Sequence, residues 1–203
     1  MGAPPTDPVT SDDPTQATRN TQATQATQAT RAALARLRRR MAQRYALREA
    51  PVSIPGAALP YTITLPADPD EPLDALAHLS AQSPHLQQPL SSPRAGERLG
   101  ERSATAAHQA VASGAHLPYW SLLWPGGMAL AEALLADPAV ARGRRALEIG
   151  CGLGVTATAA LACDARLLVA DLFAEALLFC RYNTLRNAGR APRSLAVNWR
   201  TST

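Results

Sequence analysis

Nine residues, Ala146-Leu147-Glu148-Ile149-Gly150-Cys151-Gly152-Leu153-Gly154, restrict the fold more than any other stretch of this chain. A short apolar strand runs into a turn with glycine at every second position, and an alanine-rich helix is expected to follow over 155–162. Glycine accepts positive φ and carries no side chain where backbone must approach a ligand. The first turn of a helix leaves N–H groups without intrahelical partners, and these point toward the same place. Together they predict a site for a nucleotide-like ligand.

The pattern continues downstream. Strands are expected at 145–149, 166–170 and 194–199, separated by helices at 155–162 and 173–187. Phe173, Leu177, Leu178, Tyr182 and Leu185 give the second helix its apolar face. Strands and helices alternating at these lengths imply crossover connections and a parallel sheet, so the fold class is α/β. Just upstream, Pro118-Tyr119-Trp120-Ser121-Leu122-Leu123-Trp124-Pro125 concentrates aromatic residues in an apolar run. A helix is expected over 126–136, closed by Asp137-Pro138.

The rest of the chain reads as appendages to one domain, within the 203 residues available. Residues 1–30, Pro/Thr/Asp-rich and then repeating Thr-Gln-Ala, have no apolar face and are expected to be disordered. Residues 31–50 are expected to form a basic amphipathic helix ended by Pro51. Leu34, Leu37, Met41 and Tyr45 form its stripe, with Arg36, Arg38, Arg39, Arg40, Arg44 and Arg48 around them. Such a helix binds nucleic acid or another anionic surface, or it docks its stripe on the domain. The run 36–40 has no interleaved aromatic residue to stack on bases, which favours docking. Residues 51–115 form an N-terminal extension: a strand at 61–65 between prolines, one or two helical turns at 72–79, and a long loop at 80–115.

Bulk composition excludes several classes. All 20 basic residues are arginine, which together with abundant Ala and Pro points to GC-rich coding rather than to function. No apolar run reaches the roughly 20 residues of a membrane-spanning helix, and Met1–Asp13 lacks the apolar core of a secretory signal. Cys151, Cys163 and Cys180 include no Cys-x-x-Cys pair and are expected to be reduced, small core residues in a cytoplasmic protein. His78, His85, His108 and His116 are scattered without metal-ligand spacing, so no metal is expected.

Two nucleotide-binding families use such a glycine turn. The dinucleotide fingerprint GxGxxG needs its third glycine where Val155 stands, and this chain reads GxGxG. In both families an acid ending the second strand takes the ribose hydroxyls. Asp171 stands there, about twenty residues beyond the turn.

The motif Leu147–Gly154, followed by Ala170-Asp171, resembles the class I S-adenosylmethionine-dependent methyltransferases, in which an acid two residues before the first glycine, here Glu148, is a mark. Pro118-Tyr119-Trp120, Trp124-Pro125-Gly126-Gly127, Arg181-Tyr182-Asn183 and Asn198-Trp199-Arg200 are similar to segments of the seven-stranded protein-lysine methyltransferase and nicotinamide N-methyltransferase-like group. That group more often has Asp where Asn198 stands. Leu65-Pro66-Ala67-Asp68-Pro69-Asp70 resembles its strand region ahead of the core.

The resemblance implies a Rossmann-like methyltransferase fold with S-adenosylmethionine as cofactor. On it, the backbone of Gly150, Cys151, Gly152 and Gly154 would cradle the methionine part, and Glu148 would order that loop and the amino group. Asp171 would hold the ribose, Asn198 and Trp199 would border the adenine, and Trp124 would close over the cofactor. A cation with a flat base suits carboxylates and indoles. The implied acceptor is a protein lysine or a small amine. Methyl transfer from an activated sulfonium needs alignment and desolvation more than acid–base help, and no side chain stands out as a catalytic base. The resemblance lies in residues 116–203, which correspond to the cofactor-binding half of a seven-stranded fold. A truncated, interrupted or split methyltransferase with a complementing C-terminal half is therefore expected. An NAD-binding fragment, and a non-catalytic interaction protein working through its arginine helix, stay open as alternatives.

Overall fold

Three parallel strands carry the architecture of this computed structural model, which describes residues 14–72 and 117–198. In chain order the elements are α1 (Pro14–Ala42), β1 (Leu47–Val52), β2 (Tyr61–Pro66), α2 (Pro125–Ala136), β3 (Arg145–Ile149), α3 (Val155–Ala162), β4 (Arg166–Asp171), α4 (Ala174–Ala188) and β5 (Arg193–Ala196). β4 is central, pairing in parallel with β3 on one side and β5 on the other. This is the α/β alternation expected from the sequence, except that β5 closes at Ala196, before Trp199.

Strand alternation divides the sheet into two unlike faces. Ala146, Leu167 and Val169 point toward the helices, and Val169 is fully buried. α3 runs through the middle of that layer, with every residue from Val155 to Leu161 buried. A helix enclosed on all sides must be slim, and the alanines of Val-Thr-Ala-Thr-Ala-Ala-Leu-Ala let α2 and α4 approach its flanks. Leu147, Ile149 and Leu195 point the other way and stay exposed.

The N-terminal part corrects two expectations. Residues 14–30 are helical, not disordered, because α1 runs unbroken from Pro14 to Ala42. Its inner half docks Leu34, Leu37 and the fully buried Met41 on the core, and a helix once nucleated extends cheaply through Ala- and Gln-rich sequence. The side chains from Ala23 to Ala29 are exposed. The helix also ends at Ala42 rather than at 50. Tyr45 keeps the stripe's spacing but leaves the helix, packing edge-on against Trp120 and Phe179 at 5.8 and 5.9 Å. The chain then turns into β1, which pairs antiparallel with β2.

Pro51 lies inside β1 opposite Thr62. Thr62 turns its N–H and carbonyl away from β1, toward Asn187 on α4 (2.8 and 3.0 Å). The pair is therefore a non-hydrogen-bonded one, where a missing N–H costs no ladder bond. Residues 73–79 of the helix expected at 72–79, the loop at 80–115 and all the histidines lie outside the described residues.

Candidate functional site

The glycine turn leaves the carboxyl end of β3 and enters α3, with the carboxyl ends of β4 and β5 beside it. Gly150, Gly152 and Gly154 have φ of 76°, 48° and 80°, so all three occupy the left-handed region that side chains resist. They differ in what surrounds them. A Cβ on Gly154 would stand 2.9 Å from both Cα and Sγ of Cys180, so this glycine lets α4 pack against the start of α3. One on Gly152 would lie 3.3 Å from the Trp120 carbonyl oxygen, which roofs the turn. One on Gly150 would meet nothing within 4 Å. That open side is where a ligand can reach the backbone.

Asp171 ends β4 and is buried. One carboxylate oxygen accepts from the Gly152 N–H and the other from the Phe173 N–H, both at 3.1 Å. The Gly150 N–H donates to the Ala170 carbonyl at 2.7 Å. Asp171 thus organises the turn as an anionic cap, and each oxygen keeps lone pairs for further donors. Glu148 lies on the same face of the sheet. Its Oε2 is sealed from solvent with no hydrogen-bond partner. Burial, and then the charge of Asp171, push its carboxyl up to about 7. Two carboxyl groups, one fixed by backbone donors and one unsatisfied, flank the turn and favour a cationic guest.

The Cys151 side chain is buried against Cys180. Its hydrogen bond with Cys180, then burial, hold the thiol protonated well above its usual range, so this residue contributes backbone and packing, not a nucleophile. Trp124 caps the start of α2, half exposed, its Nε1 donating to the Tyr119 carbonyl at 2.9 Å and its ring edge-on to Tyr119. A bond from Thr156 Oγ1 to the Gly127 carbonyl (3.1 Å) joins the first turns of α2 and α3, so Trp124 belongs to the same end of the molecule. The Val197 N–H donates to the Asp171 carbonyl, which brings half-buried Asn198 to that end as well. Trp199 lies outside the described residues.

Two residues supporting the turn, Trp120 and Asn183, are marked in the sequence only as parts of the similar segments Pro118-Tyr119-Trp120 and Arg181-Tyr182-Asn183. Trp120 acts through its carbonyl rather than its ring, which is buried against Phe179. Asn183, fully buried on α4, donates from Nδ2 to the Leu153 carbonyl (2.9 Å) and so holds the turn from behind.

The class that this arrangement resembles is that of the methyltransferases, and short stretches of the chain are homologous to them. The electron transfer flavoprotein beta subunit lysine methyltransferase of Danio rerio is 50% identical over 54 residues, covering 27% of this chain and 21% of that protein. Its Homo sapiens counterpart is 46% identical over 54 residues with the same coverage. The Caenorhabditis elegans homolog is 33% identical over 67 residues, 32% of this chain and 28% of that protein. The matched stretches thus span between 21% and 28% of these relatives. No protein-family model matches the chain.

Proposed function

We propose that this chain carries the cofactor half of an S-adenosylmethionine-dependent N-methyltransferase with a Rossmann-like fold, acting on a protein lysine or a small amine in the cytoplasm. The observation that carries the reading is the pair of carboxyl groups, Glu148 and Asp171, flanking an open glycine turn, together with the homology of short stretches to lysine methyltransferases. An orphaned buried Glu148 Oε2 and a glycine with nothing within 4 Å of its missing Cβ fit a ligand that brings a positive charge against backbone.

The backbone of Gly150–Gly154 would hold the amino-acid end of the cofactor, Glu148 its ammonium, Asp171 its ribose, and Asn198 and Trp199 its base, with Trp124 closing over it. When bound, the cofactor supplies a methyl group already activated on sulfur. The chain's own contribution is to orient that donor and exclude water around it. The acceptor amine must arrive deprotonated.

Calorimetric titration with S-adenosylhomocysteine tests this. The wild-type chain is expected to bind it more tightly than NAD, and Asp171→Ala and Gly152→Arg are each expected to weaken binding at least about tenfold, the effect of losing roughly 1.4 kcal/mol. Tighter binding of NAD, or unchanged affinity in both variants, would overturn the assignment.

A further inference from the structure

We infer that α1 binds double-stranded DNA, setting its outward arginines on phosphates while its projecting outer half enters the major groove. The helix has two unlike faces. Leu34, Leu37 and Met41 form the face held by the domain. At about 100° per residue, Arg36 and Arg39 then fall on the outward side, with Arg31 and Arg40 on the two flanks. All four are exposed. From Ala23 to Ala42 the helix carries five arginines and no acid. The carboxylates near it are already engaged: Glu49 accepts from Arg38 and Arg186, and Glu175 pairs with Arg44. Among the described residues, Arg31, Arg36, Arg39 and Arg40 make no ion pair. Such a row, unlike an apolar face, requires no cover, and its field attracts a polyanion.

Shape and composition select duplex DNA among the polyanions. Residues 23–29, Ala-Thr-Gln-Ala-Thr-Gln-Ala, are all exposed, so the helix stands clear of the domain there. An α-helix about 10–12 Å across fits the B-form major groove, about 12 Å wide, whereas the deep, narrow major groove of duplex RNA excludes it. Gln25 and Gln28 carry the amides that pair with adenine edges, and alanine and threonine methyl groups suit the thymine methyl. Contacts to phosphates and base edges of a duplex call for no aromatic stacking. An anionic membrane would need the apolar stripe, which the domain already holds. An acidic protein would need an apolar or aromatic anchor, and alanine is the one apolar residue type over 23–29.

The test is fluorescence anisotropy with the full chain and a labelled DNA duplex of about 20 base pairs rich in A·T steps. Phosphate contacts from the four arginines predict saturable binding that weakens on the order of a hundredfold between about 50 and 200 mM salt. Arg36→Glu, Arg39→Glu and Arg40→Glu combined are expected to cut affinity at least about tenfold and to flatten that salt dependence, with circular dichroism unchanged. Ala26→Pro leaves the arginines in place and breaks the outer helix, so it is expected to weaken binding at least about fivefold. Several results would overturn the inference: no binding at about 50 mM salt, unchanged affinity in either variant, equal binding of the matching RNA duplex, or equal binding of polyglutamate (an acidic polypeptide). DNA and cofactor binding are separate measurements, so either reading can fail without the other.

Discussion

Glu148 and Asp171 are two carboxyl groups on one face of one sheet with opposite circumstances. Asp171 has a backbone N–H on each oxygen, whereas Glu148 Oε2 is buried with no partner and its carboxyl is raised from 4.5 to about 7. In the unfolded chain Glu148 releases its proton near 4.5, and in the folded chain near 7. Between those values the native state binds more protons, so this group's contribution to stability is present at low pH and lost as pH rises through about 7. The loss is on the order of a few kcal/mol at most. Glu148→Gln keeps the shape and removes the titration. The variant is expected to lose the decline in unfolding free energy between about pH 5 and pH 8, and to be the more stable protein at the upper end. Urea denaturation across that range measures both. Parallel pH dependence in the two proteins would assign the titration to another group. A ligand cation next to Glu148 would favour the ionised form, so S-adenosylmethionine is expected to bind more tightly as pH rises through this range.

At the scale of elements, α4 acts as a mock strand. Asn183 and Asn187, one turn apart, each accept from a β2 backbone N–H and donate to the same residue's carbonyl, at Thr64 (both 2.9 Å) and Thr62 (2.8 and 3.0 Å). The outer edge of the hairpin is thus satisfied by side chains instead of a third strand. Asn183→Ala strands three buried groups and is expected to cost about 2–4 kcal/mol, whereas half-buried Asn187→Ala should cost about 1–2. Asn183 also holds Leu153, so its variant alone should weaken S-adenosylhomocysteine binding. Chemical denaturation and calorimetry on both variants check this, and equal affinity would confine Asn183 to a structural role. This ladder also marks the limit of what the sequence reveals. Strands 3 to 5 and their helices are legible because glycine, alternation and apolar period all act within a few residues. β1 is not, because Glu49 and Pro51 suit a strand only through tertiary partners: Arg38 on Glu49 at 2.9 Å, Arg186 on Glu49 at 2.6 and 3.0 Å, and Asn187 on Thr62 opposite Pro51. In the site, the glycines, Glu148 and Asp171 stand out by type and spacing. Trp120 and Asn183 act through a carbonyl and a distant packing position, which no local pattern encodes.

For the molecule as a whole, α1 decides whether the N-terminal arm belongs to the fold. Its inner half is bound on both sides of the stripe. Met41 is fully buried, Arg38 donates to Glu49 at 2.9 Å, and Arg44, just past the helix end, pairs with Glu175 on α4. The outer half from Ala23 to Ala29 touches mostly solvent. The arginine helix is therefore docked on the domain by its inner half, and its energy is concentrated in the apolar stripe. Exposed ion pairs such as Arg44–Glu175 contribute little, about 0–1 kcal/mol. Met41→Ala is accordingly expected to cost about 2–5 kcal/mol of unfolding free energy, as the emptied site faces a packed core. Ala26→Pro should break the outer helix, seen as lost helical circular dichroism, while moving the unfolding free energy by less than about 0.5 kcal/mol. The two variants together separate a strap that is part of the cooperative unit from a helix that merely extends beyond it. A small effect of Met41→Ala, or a large effect of Ala26→Pro, would show that the arm's contribution lies outside the stripe.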